Sequence, residues 1–131
     1  MLKINTGFKP VNAAPDKVFA FLSDMNNMEK LMPEQVINWQ STADNCRFTI
    51  KGMADIGMEI TERIPDTTLH LVSYGKVPFK FTLQITIRAA GSSSDASLDF
   101  EGDVNPFLKM MVEKPLGNFF NMLVDNLNKQ F

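Results

Sequence analysis

The chain has 131 residues and a mass of 14.7 kDa; it is 44% hydrophobic and 21% charged, with a mean hydropathy of −0.09, a net charge of −2 and a pI near 5.3. That is the length of one core, so residues 1–131 are read as a single domain, and the acidic balance argues against nucleic acid, whose binders normally have a pI above about 9. No apolar run approaches the roughly 18 residues of a membrane span, residues 1–5 carry no secretion signal, and a lone Cys46 excludes a disulfide framework or a CxxC metal or redox motif; a cytoplasmic location is expected.

Leu2 to Val11 alternates as one edge strand, with Leu2, Ile4 and Phe8 on one face and Pro10 keeping it near an edge. A helix follows, started by Pro15 with Asp16 beside it; Val18, Phe19 and Leu22 form its apolar face. Asn26-Asn27 and Pro33 end it as a helix, a turn and a short second helix. From Val36 to Asp103 the apolar period falls to two. The predicted strands are Val36–Ser41, Cys46–Lys51, Ile56–Ile64, Thr68–Tyr74, Phe79–Ala89 and Ala96–Asp103. Their connections are short, so they form hairpins and the sheet is antiparallel. Phe79, Phe81, Leu83, Ile85 and Ile87 against Lys80, Thr82, Gln84, Thr86 and Arg88 give one dry face and one wet face.

Asn105-Pro106 opens a closing helix that runs to about Gln130. At 1.5 Å per residue it spans roughly 38 Å, against a radius of gyration of about 14 Å for a chain of this size, so it crosses the whole molecule. Pro115 and Gly117 interrupt it. Leu116, Phe119, Phe120, Leu123 and Leu127 share one face, whereas Phe107, Leu108, Met111 and Val112 point elsewhere, which predicts a kink near Pro115 or two helices. The layout is α+β: a seven-stranded antiparallel sheet, dry on one side, curled around one long helix. Curling leaves a groove or cavity between them. Of eleven Phe and nine Met, Met1, Met25, Met28 and Met32 are placed at the terminus or in a loop, and the rest fill the interior or line that cavity. Strand alternation and helix phase put Met58, Ile60, Phe81, Leu83, Phe100, Met111, Phe119 and Phe120 on the wall.

Side chains that could do chemistry are few. Cys46 shares a strand face with Phe48 and Ile50, where an apolar setting makes a thiol inert. His70 lies in another strand. Asp99, Glu101 and Asp103 alternate with Leu98 and Phe100 and are expected in solvent; no metal or cofactor is expected. Glu62 interrupts the apolar face Ile56, Met58, Ile60 and Ile64, so a regular strand aims it inward as a polar contact at the cavity mouth, unless it sits in water at the strand end. The strand Thr68–Tyr74 is open in orientation: either Leu69 and Leu71 face inward, or His70 and Tyr74 supply polar atoms to the cavity. Trp39 shares a face with Ile37 and belongs to the core or the cavity wall. Glycines flank hairpins or mark bends, and no phosphate-binding loop is present.

The run Val11 to Phe19 followed by Leu22 and Asp24, then Asn27, Leu31 and Pro33, resembles the strand-to-helix passage of the START-like, polyketide cyclase/dehydrase-like superfamily. Asn105 to Met111 and Lys114-Pro115-Leu116 resemble a small bacterial single-domain branch of that group. The resemblance covers nearly the whole chain and implies the helix-grip fold with a hydrophobic-ligand cavity; it implies no particular reaction. The leading expectation is a protein that binds a hydrophobic small molecule or lipid between sheet and helix, with no stable membrane insertion and an unassigned protein partner. The alternatives are a cyclase/dehydrase-type enzyme in which His70, Tyr74 or Glu62 moves a proton, and an interaction module whose interior is filled by its own Phe and Met. Volume decides among them.

Overall fold

Gly7, with φ at +71°, cuts the opening strand in two: β1 (Leu2–Asn5) and β2 (Lys9–Val11). In the computed structural model, which describes residues 1–131, both pieces pair with the last strand, so the expected seven strands become eight. The break also corrects the position of Phe8. It leaves the face of Leu2 and Ile4 for the surface, where the Arg88 guanidinium carbon lies 3.8 Å from its ring centroid.

Pro15 occupies the first turn of α1 (Pro15–Leu22), which buries Val18 and Leu22. A 3₁₀ helix follows over Met25–Leu31, capped by Asp24 Oδ1, which accepts from the Asn26 N–H. It buries Met25, Met28 and Leu31, so two of the methionines expected in a loop belong to the core. The remaining strands are β3 (Val36–Ser41), β4 (Asn45–Ile50), β5 (Ala54–Ile64), β6 (Thr68–Ser73), β7 (Phe81–Ala90) and β8 (Ser93–Gly102). The sheet order is β1-β8-β7-β6-β5-β4-β3 with every pair antiparallel. The β7–β8 connection is shorter than the predicted strand ends imply, since Ser93 to Asp95 already belong to β8 and Gly91, at φ +64°, makes the turn.

Two irregularities set which side chains face inward. In β3 the register shifts between Ile37 and Gln40, with Asn38 in the left-handed region at φ +58°. Ile37 is thereby turned out to solvent, away from Trp39, which stacks on Phe48 at 5.4 Å and donates from Nε1 to Ser41 Oγ at 2.9 Å. In β5 a second shift lies between Ile60 and Glu62.

The closing helix α2 (Pro106–Asn128) is one helix and not two. Asn105 caps it, its Oδ1 accepting from the Leu108 N–H at 2.8 Å. Pro115 removes one N–H from the ladder, but Val112 and Leu116 are buried on either side of it, and that packing carries the helix through. The α2 backbone runs alongside β1, β2, β8 and the 3₁₀ helix. Its separation from β4 is spanned by side chains, as where Phe119 meets Phe48 with ring centroids 5.9 Å apart.

Candidate functional site

The interior between sheet and helix is built from aromatic rings in sequence. Trp39 stacks on Phe48, Phe48 on Phe119, Phe119 meets Phe120 edge-on, Phe120 lies against Phe100, and Phe100 touches Phe81 and Phe79, with centroids 4.9 to 6.3 Å apart. These rings close around a gap under the middle of α2. Its ten lining residues are all hydrophobic. Met58, Phe81, Phe100, Phe119 and Phe120 were expected there; Phe48, Ile50, Ile56, Phe79 and Leu116 complete it. Phe48 and Ile50 share the inward face of β4 with Cys46, and Leu116 shares the helical face of Phe119, so the signal for these three was in the periodicity.

Three wall positions are corrected. Ile60 is half-buried and does not reach the gap; Leu83 is buried in the core away from it. Met111 is 60% exposed on the solvent side of α2. The helix stays continuous through Pro115, so one phase runs its whole length and turns Met111 away from the stripe of Leu116, Phe119 and Phe120.

The gap is small. It leaves about 10 Å³ for a water-sized sphere, at or below the roughly 10–15 Å³ that one water needs. A second apolar gap, of about 20 Å³, lies under the end of α2 between Met28, Leu31, Leu123 and Leu127. The interior is closed and filled by its own side chains in this conformation.

The polar candidates lie elsewhere. The register shift in β5 places Glu62 opposite His70 on the outer face of the sheet, where His70 Nε2 is 3.4 Å from Glu62 Oε1 and both side chains are open to solvent. Leu69 and Leu71 are the buried face of β6, which settles the orientation of that strand. Tyr74 follows the end of β6, half-buried, and lines neither gap. Thus Glu62, His70 and Tyr74 supply no polar atom to the interior. Beyond the shift it is Arg63 that faces the edge of the core, donating to the Ser23 and Ala43 carbonyls and, at 2.8 Å, to Asp44 Oδ1.

Cys46 is fully buried, and burial pushes its thiol up to about 12, against a smaller opposing effect of a backbone hydrogen bond at Met58. It faces inward while His70 faces outward, so the two form no catalytic pair. Asp99, Glu101 and Asp103 point outward, and Asp99 accepts from the Asn5 side-chain amide. No three His, Cys, Asp or Glu side chains gather closely enough to hold a metal ion, and no helix is long and apolar enough to cross a membrane. The lining of the gap is wholly apolar and presents no acid or base to move a proton.

The family model described as polyketide cyclase/dehydrase and lipid transport matches residues 6–131. Several solved structures share the fold. A START superfamily protein from Mycobacterium smegmatis superposes with a TM-score of 0.76 at 14% identity, covering 98% of this chain and 95% of that one. Protein TTHA0849 from Thermus thermophilus gives 0.75 at 12% over the same shares, and protein CV1439 from Chromobacterium violaceum 0.74 at 15%, again over 98% and 95%. At such identities the likeness is one of fold. No curated protein matches the chain by sequence.

Proposed function

The chain belongs to the polyketide cyclase/dehydrase and lipid transport family, and from that premise we propose that it binds a hydrophobic small molecule or lipid between the sheet and α2, in a space that this conformation keeps closed. The observation that carries the reading is the gap under Leu116, Phe119 and Phe120, lined by ten hydrophobic residues with no polar side chain among them. Opening it requires movement of soft, rotatable material. Met58 is such a side chain, and the first turns of α2, which lead into the gap's Leu116, are the least packed part of the helix. There Phe107, Met110 and Met111 are exposed and Pro115 has removed one helical hydrogen bond. A swing of this segment about Pro115 would admit a ligand and give Phe107, Met110 and Met111 apolar surface to cover.

A second reading is favoured by the volume. An interior with about 10 Å³ to spare is also what an interaction module with a packed core has. A cyclase/dehydrase reaction is the least supported, because the three residues proposed to move its proton are outside the gap.

Native mass spectrometry of the purified protein, followed by solvent extraction, tests the first reading against the second. The expected result is a stoichiometric apolar passenger, or uptake of one when the protein is incubated with fatty acids, sterols and polycyclic aromatics. An apo mass that persists through all three incubations would establish the packed module instead.

A further inference from the structure

Each of the three arginines has a place in the outer shell, and two are fully engaged. Arg63 holds two carbonyls and Asp44; Arg88 holds Asp95 at 3.3 Å and stacks on Phe8. Arg47 donates to no protein acceptor and pairs with no carboxylate, yet it is held in place. Its Cγ packs 3.4 Å from where a Cβ of Gly57 would stand, and its Nε and Cζ lie 3.4 and 3.6 Å from the corresponding point at Gly75. Both glycines are required. A Cβ at Gly57 would fall 2.1 Å from the Tyr74 carbonyl oxygen, and Gly75 sits at φ +70°. The chain leaving β6 therefore folds back over Gly57 and lies against the Arg47 guanidinium.

This arrangement forms one wall of a concavity of about 240 Å³ on the outer face of β3, β4 and β5, lined mostly by polar residues. Lys76, the residue after Gly75, contributes a second cation without a carboxylate partner. The one acid present, Asp55, is already used: it accepts from Thr49 Oγ1 at 2.6 Å, and Thr49 Oγ1 in turn accepts from Asn38 Nδ2 at 3.4 Å. Asn38 is the left-handed residue at the β3 irregularity, and residues held in such conformations cluster at ligand sites. Arg47 and Lys76 against the single carboxylate of Asp55 leave the concavity one positive charge in excess, bounded by amide and hydroxyl groups, in a protein of net charge −2.

We propose that this concavity binds an oxyanion, the carboxylate or phosphate end of a small polar molecule, with Arg47 gripping it through its planar fork, Lys76 adding charge, and Gln40 and Asn38 offering side-chain amides. The site lies on the opposite face of the sheet from the apolar gap and does not depend on what that gap holds.

Titration of the ¹⁵N-labelled protein with inorganic phosphate and, separately, acetate, at constant ionic strength, tests it. Saturable shifts of the Gly75 and Lys76 amides and of the Arg47 Nε–H are expected with at least one of the two, and which one saturates names the source of the oxyanion. Loss of a charge-assisted hydrogen bond costs about tenfold or more in affinity, so Arg47→Gln should weaken binding by that factor and Lys76→Gln by less. Arg47 is exposed, and the same spectra report that each variant is folded. Shifts that are linear and spread over all surface lysines with both anions, or a saturable response that survives Arg47→Gln, would overturn the proposal.

Discussion

The two ends of α2 use the same residue types to opposite effect. From Leu116 to Leu127 the helix buries Leu116, Phe119, Phe120, Leu123, Val124 and Leu127. From Phe107 to Met111 it carries an equally apolar set and exposes it: Phe107 is 73% and Met110 83% in solvent. Composition does not separate these segments; phase does. Positions 116, 119, 120, 123 and 127 fall on one stripe that meets the sheet, whereas 107, 110 and 111 form a stripe turned from it. The second segment holds the fold together, while the first contributes Val112 and part of Leu108 to it and keeps its largest side chains outside. The difference separates the half of the helix whose large side chains are packed from the half whose large side chains are exposed.

The comparison breaks first at Phe119. Phe119→Ala should destabilise the protein by about 3–5 kcal/mol in urea unfolding, since the ring sits between Phe48 and Phe120; a loss near zero would mean that the anchored half is not anchored. The packed side can also be read from the sheet, through Cys46. Its thiol is held protonated up to about 12 in the folded chain against 9.0 unfolded, so its contribution to stability is complete below pH 9 and is lost as the pH rises from 9 toward 12. At pH 8 an aromatic disulfide reagent should leave Cys46 unmodified until denaturant is added. Rapid modification of the folded protein would show that β4 is not sealed.

Pro115 divides the two halves. Pro115→Ala returns a hydrogen-bond donor to the Met111 carbonyl and should stabilise the chain by about 1 kcal/mol or more, while slowing uptake of an apolar ligand. Unchanged uptake kinetics would remove the hinge. The smallest effect is expected at Met110→Ser, within about 0.5 kcal/mol by thermal unfolding, because the side chain touches little in the closed state; its effect should appear as weaker ligand retention.

Much of this fold is legible in the chain. Alternation in β7 and β8 places Phe81, Leu83, Leu98 and Phe100 inward, Pro15 and Asn105 mark where the helices start, and the resemblance on Val11 to Phe19 leads to the family. The site is less legible, for three physical reasons. Period-two reasoning assumes an unbroken strand, and one extra residue in β5 turns Glu62 from an inward carboxylate into the outer partner of His70; nothing in Ile60-Thr61-Glu62 announces it. Likewise Gly7 redirects the chain after β1, taking Phe8 off the face of Leu2 and Ile4, and Asn38 resets the face of β3, each through a local φ value. Helix phase turns Phe119 and Phe120 toward the sheet, where they are buried, but an expected interruption at Pro115 detaches the phase of the turns before it, whereas packing of Val112 and Leu116 keeps one phase and leaves Met111 outside. Side-chain volume against interior volume, which separates an open cavity from a filled one, depends on how far the sheet curls and has no sequence signature.

The central claim is that the gap beneath Phe119 opens to an apolar molecule. The single tryptophan reports on it directly, since Trp39 stacks on Phe48, which lines the gap and touches Phe119. Titration with a medium-chain fatty acid below its micelle concentration should change Trp39 emission saturably at one ligand per chain. Emission that stays constant to the solubility limit of the fatty acid would contradict the claim and leave a packed interior that takes up nothing.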